Sequence, residues 1–157
     1  NLSFKVAHFR KARENELSMI DVNPEHENLS ELGKGGTQPQ RVLETFPNRN
    51  PERDYIVDLH TNEFTCLCPK TGQPDFADIV IRYVPDQKIV ESKSLKLYLW
   101  SYRDEGVFHE HFANLLLDDL VAAIEPRWCR VEVTFNARGG IGITVSADHG
   151  AFPEAAY

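Results

Sequence analysis

Positive charge is in short supply in this chain. Its 17 lysines and arginines face 24 aspartates and glutamates, a formal net charge of −7 over 157 residues. Broad binding to nucleic acid needs a cationic surface that releases counterions, so that class of partner is not expected. A local basic pocket for one phosphorylated cofactor stays open. No apolar run approaches the ~20 residues of a membrane span, and no basic, apolar, small-residue leader opens the chain. The expected setting is therefore the cytoplasm, without a membrane partner. Cysteine is scarce as well: three thiols, an odd number, make no disulfide framework. In a reducing compartment such thiols are buried, metal-bound or catalytic. Two phosphate signatures are missing too, since no G-x-G-x-x-G follows a strand and there is no P-loop.

What is present is an ordinary globular composition, 41% apolar and 26% charged. The length suits one domain that buries roughly two-thirds of its unfolded surface. Residues 1–30 read as an N-terminal extension, an arm for a neighbouring subunit, and 31–157 as a single catalytic domain. Tyr55–His60 and Asp78–Val84 are rich in β-formers and read as strands. A helix is expected from Ser92 to about Tyr102, with Leu95, Leu99 and Tyr102 on one face. A longer one runs from about Phe108 to Ile124. Its stripe is Phe108, Phe112, Leu115, Leu116, Leu120 and Ile124, and Pro126 ends it. Arg130–Phe135 and Ile141–Val145 alternate as two last strands, with Asn136–Gly140 as their turn. The order ββααββ implies an α+β fold, an antiparallel sheet with both helices on one face.

Several residues in this frame could carry chemistry. A cysteine is most often a small buried hydrophobe. Cys68 differs because it opens the Pro- and Gly-bearing loop that runs to Asp75. A nearby Lys70 ammonium would lower the thiol's pKa, and Asp75 could return a proton to whatever the thiolate attacks. Asp75 could equally serve its own turn. Glu110 in His109-Glu110-His111 either complements the helix dipole or accepts paired N–H bonds from a guanine-like edge. Lys93 and Lys96 are helix neighbours whose face Trp100 continues. They are either solvated surface or, with Ser92 as N-cap, a phosphate site. Arg138 either adds a cation there or is an exposed turn residue.

At these residues the chain resembles the NADPH-dependent 7-cyano-7-deazaguanine reductases of queuosine biosynthesis, in their short single-module form. The resemblance rests on Glu63–Phe76 with its Cys-Pro-Lys-Thr-Gly-Gln-Pro-Asp, on Glu91-Ser-Lys-Ser-Leu-Lys-Leu-Tyr98, on Phe108-His-Glu110 and on Arg138-Gly-Gly140. It implies Cys68 as the nucleophile that adds to the nitrile and Asp75 as the general acid. It assigns His109, Glu110, Val90, Glu91 and Ser92 to the deazaguanine ring, and Lys93, Lys96 and Arg138 to the phosphates of NADPH. It also implies a tunnelling fold whose subunits join their sheets into a barrel, forming a homo-oligomer of stacked rings with sites between subunits. Cys66 is an extra thiol without an assigned role. Two other readings compete. One is a zinc cyclohydrolase of the same fold, with Cys68 and a histidine as ligands, for which a third ligand is wanting. The other is a purine- or pterin-binding scaffold in which Cys68 is structural.

Overall fold

The computed structural model describes residues 38–153. The expected extension over 1–30 therefore lies outside the described residues, as do 31–37 and 154–157. Four long strands form one antiparallel sheet in the order β2-β3-β5-β6: β2 (Val57–Leu67), β3 (Pro74–Val84), β5 (Trp128–Arg138) and β6 (Ile141–Gly150). Two short strands, β1 (Thr45–Pro47) and β4 (Lys88–Val90), pair separately. Two helices, α1 (Ser92–Trp100) and α2 (His109–Ile124), lie between β4 and β5. The expected four strands and two helices are all present. The strands are longer than their sequence patterns suggested, and β1 and β4 were not foreseen.

The core lies between the sheet and the helices. Ile79, Ile81, Val131 and Val133 are at most 2% exposed and meet Phe112, Leu116, Leu120 and Ile124 of α2. Phe64 stacks on Phe112 with centroids 4.1 Å apart, and Tyr98 and Tyr102 extend the aromatic cluster under α1. Each fully buried side chain of this kind contributes about 1.5–3 kcal/mol. The α2 stripe differs from the expected one at two positions. Phe108 and Leu115 are 45% and 46% exposed, while Ala113 and Leu117 are buried. Phe108 precedes the helix as its N-cap, outside the helical repeat. Leu115 projects away from the sheet, because the stripe runs through Phe112, Leu116 and Leu120 at four-residue steps.

Two bulges decide which side chains face the core. Thr61 pairs with Ile79 but Phe64 pairs with Ala77, so one extra residue sits in β2. A strict alternation would put Phe64 and Cys66 on the face opposite Thr61; the slip turns both inward. The second bulge lies between Phe135 and Arg138 of β5. Arg138 would otherwise face away from Phe135, and the slip brings its guanidinium to the inner face. The hairpin then turns through Gly139 and Gly140 at φ 60° and 82°, the positive values a two-residue turn of this kind requires.

Candidate active site

One end of the sheet gathers the loop after β2, the start of β3, the first turn of α2 and the β5–β6 turn. Leu67, the last residue of β2, is gripped from the side: its N–H donates to the Glu105 carbonyl (2.8 Å) and its carbonyl accepts from Val107 N–H (3.1 Å). Gly106 lies between these partners. A Cβ there would stand 2.9 Å from Pro69 Cα, so only glycine lets the segments meet this closely. Next, Cys68 N–H donates to the Gln73 carbonyl (2.8 Å) and the Cys68 carbonyl accepts from Gly72 N–H (2.9 Å). The loop is thus a tight turn closed by main-chain bonds on both sides of Cys68.

Hydrogen bonding from the turn and from Arg138 lowers the Cys68 pKa to about 6. The Thr71 hydroxyl contributes most, then the backbone N–H groups of Lys70 and Thr71, then the Arg138 guanidinium, with burial opposing. The expected Lys70 ammonium is not among these causes. Lys70 is exposed and acts through its main chain, because the turn aims the peptide at the sulfur. Cys66 differs in every respect. It is fully buried, and burial first, then the charges of Asp75 and Cys68, push its thiol up to about 12.

Asp75 pairs with Cys66 across the β2–β3 ladder and is 4% exposed. A carboxylate buried this deeply needs partners. It has two: His109 Nε2 at 3.2 Å from Oδ2, and Arg138 Nη1 at 3.2 Å from Oδ1. The His109 ring lies flat on Phe135, 3.6 Å between centroids and 8° between planes, which fixes its edge toward the carboxylate. Arg138 is held in turn by the Gln73 side-chain oxygen. Cys68, Asp75, His109 and Arg138 therefore form one connected cluster. Glu110 follows His109 in the first turn of α2, exposed, its carbonyl accepting from the Asn114 amide (2.7 Å).

The remaining expected residues occupy a second place, where β4 runs into α1. Val90 is buried, its N–H donating to the Tyr83 hydroxyl (3.3 Å). Glu91, 5% exposed, caps α1: its carboxylate accepts from Lys93 N–H (2.8 Å) and Ser94 N–H (2.7 Å). Ser92 is therefore the first helical residue rather than the cap, since a carboxylate reaching two orphan N–H groups outdoes a hydroxyl. Ser92 and Lys96 line a groove of about 720 Å³ between α1 and the β2–β3 face, together with His60, Trp100, Arg103 and Glu63. Two cations and an aromatic ring over an apolar floor suit the phosphates and flat rings of a dinucleotide. Lys93 lies half-buried on the same helix. Arg138, expected beside these lysines, is instead engaged with Gln73 and Asp75 at the other cluster. Among the described residues, no three His, Cys, Asp or Glu side chains are placed to hold a metal ion.

Comparison with known proteins gives a consistent answer. A family model described as QueF-like protein matches residues 74–154. The NADPH-dependent 7-cyano-7-deazaguanine reductase of Syntrophus aciditrophicus is 63% identical over 125 residues, covering 78% of this chain and 89% of that protein. The protein of the same name from Alkalilimnicola ehrlichii is 61% identical over 113 residues, 72% of this chain and 88% of its own. The chain belongs to the QueF-like family. A solved relative, the archaeosine synthase QueF-Like in its apo form, superposes with a TM-score of 0.59 at 27% identity. It covers 64% of this chain and 99% of its own. The α+β tunnelling fold expected from the resemblance is thus the fold of this QueF-like chain.

Sequence reasoning overlooked Thr71, Gln73 and Gly106. The Cys-Pro-Lys-Thr-Gly-Gln-Pro-Asp run contained the first two, but nothing in spacing alone says which way a hydroxyl in a turn will point. Gly106 was legible only as a glycine in a loop.

Proposed function

We propose that the chain reduces the nitrile of 7-cyano-7-deazaguanine to an aminomethyl group with NADPH, through a covalent thioimidate on Cys68. The observation that carries this is an accessible thiol whose pKa lies near 6 beside a buried, doubly partnered carboxylate, in a chain whose relatives are named for that reduction. The Cys68 thiolate adds its electron pair to the nitrile carbon, and the electrons displaced onto nitrogen need a proton. Asp75 delivers it, sharing the proton with His109 Nε2 across 3.2 Å. Arg138 stays beside the carboxylate once it is charged. Splitting one hard addition into covalent steps is what a cysteine nucleophile offers. NADPH, when bound, supplies hydride, and the four-electron change from nitrile to amine needs two such deliveries. Lys93 and Lys96 on α1 would hold its phosphates, whereas Arg138 stays with Asp75 and Gln73.

His109 and Glu110 grip the deazaguanine ring from the start of α2, and the Val90–Ser92 segment supplies further contacts. Among the described residues no hydrogen bond or ion pair links that segment to the Cys68 cluster. We therefore assign the complete pocket to two subunits of a ring-forming homo-oligomer, whose barrel also pairs the open edges of β2 and β6. The setting is the cytoplasm, and the product enters queuosine biosynthesis and tRNA modification. The test is nitrile-dependent oxidation of NADPH by the purified oligomer, with two equivalents consumed per amine formed. An absence of nitrile-dependent oxidation overturns the reading. A stoichiometric zinc requirement for turnover would favour the cyclohydrolase-type alternative.

A further inference from the structure

Gln73 has no step in the chemistry above, yet it is bonded toward both the nucleophile and the acid. Its carbonyl accepts from Cys68 N–H at 2.8 Å. Its side-chain Oε1 accepts from Arg138 Nη2, and the other arm of the same guanidinium, Nη1, lies 3.2 Å from Asp75 Oδ1. One planar fork is thus divided between an amide oxygen and the buried carboxylate. Arg138 ends β5 beside the Gly139–Gly140 turn, and its side chain is 38% exposed against 3% for Asp75. A long side chain so placed gains little from one ion pair, because fixing it costs rotamer entropy. A second acceptor in the plane of the fork fixes it beforehand. Gln73 does this without charge: its oxygen orients the guanidinium and leaves the positive charge to Asp75, which a carboxylate at 73 would divide.

We propose that Gln73 is a positioning residue, which clamps the Arg138 fork on Asp75 with its side chain while its main chain holds Cys68. It touches no reacting atom and acts through these two partners. A nitrile is a short, rigid group, attacked by sulfur at its carbon and protonated at its nitrogen. The two events share one pose only if nucleophile and acid keep a set separation. A residue tied to Cys68 by its main chain and to the acid's arginine by its side chain sets that separation. The clamp itself stands on the contacts at Gln73 and Arg138; its effect on turnover rests on the nitrile-reductase reading.

The test has two arms. In the ligand-free full chain, phenylglyoxal condenses with both Nη nitrogens of a guanidinium, and the reaction is followed by mass on the Arg138 peptide. Gln73→Met keeps the side-chain length, loses the acceptor and is modified roughly 10-fold faster than wild type, as loss of one hydrogen bond to a charged group implies. Gln73→Glu restores an acceptor and a slow reaction, and Gln73→Leu repeats the Met result should methionine disturb the turn. The second arm is a double-mutant cycle on nitrile-dependent NADPH oxidation. Gln73→Met lowers kcat roughly 10-fold with KM for the nitrile little changed, and costs nothing further in an Arg138→Met background. An unmoved phenylglyoxal rate in both Met and Leu variants overturns the proposal, and so does an equal loss of kcat in both backgrounds. The expected phenylglyoxal rates in a protein whose wild type shows no nitrile-dependent oxidation keep the clamp but remove the nitrile reading, and the effect on turnover with it.

Discussion

The end of β2 and the loop beyond it hold two thiols two positions apart under opposite conditions. Cys66 points into the sheet–helix core, touches no solvent, and has its thiol pushed up to about 12. Cys68 has left the strand, stands in a turn ringed by donors, and is lowered to about 6. The same residue type is thus inert or reactive according to whether burial or hydrogen bonding dominates its surroundings. The bulge at Thr61–Phe64 sets the first environment and the Cys68–Gln73 turn sets the second.

The largest expected effect separates the two thiols outright. Cys68→Ala loses turnover by at least ~10³-fold while unfolding at the wild-type midpoint, as removal of a covalent nucleophile implies. Cys66→Ala keeps its turnover and loses on the order of 1 kcal/mol of stability from the small cavity left behind. Steady-state rates and thermal melts on both variants check the pair, and equal losses of activity would erase the distinction. Next in size, Asp75→Asn lowers turnover by roughly 10²–10⁴-fold with ligand affinity retained, the range for a lost general acid. Near-normal rates would remove Asp75 from that role.

The pH dependence sharpens the contrast further. Cys68 should alkylate half-maximally near pH 6, whereas Cys66 and Cys129, both raised to about 12, stay unmodified at neutral pH while the protein is folded. The signs for stability are opposite as well. The folded protein binds the Cys68 proton less tightly than the unfolded chain, whose thiols titrate near ~8.5. That contribution is complete above the unfolded value and is lost as pH falls through about 6. The Cys66 contribution is complete below the unfolded value and is lost as pH rises toward about 12. A change of stability rather than of chemistry is expected in Gly106→Ala, where the new methyl meets Pro69. It should cost about 1–2 kcal/mol and slow Cys68 alkylation by shifting the turn, with Cys66 unaffected.

The same region shows why part of the fold is legible in the sequence and part is not. The hydrophobic repeats of α1 and α2, the β-formers of β3 and the alternation in β6 and in β5 as far as Phe135 were readable, because over those stretches the period is unbroken. β2 was read only to His60, since its apolar phase slips at Asn62-Glu63 where the bulge lies. Both short strands were missed, three residues each being too few for a pattern to register. At the site, Cys68 and Asp75 stood out from loop chemistry and Glu110 from its place at a helix start, and the family motifs supplied His109. The link between Arg138 and Asp75 was hidden, because it depends on a second bulge that changes which face an arginine takes. The effect of Thr71 on the thiol was hidden for a related reason: it depends on the turn that Gly72 makes at positive φ.

Cys68, and not Cys66, is expected to form a covalent bond to a nitrile. The most direct measurement is the intact mass of the protein after mixing with 7-cyano-7-deazaguanine in the absence of reductant. The expected result is an increment equal to the whole ligand, present in Cys66→Ala, absent in Cys68→Ala, and discharged on addition of NADPH. Tight binding of the ligand by wild-type protein with no increment in mass would contradict it.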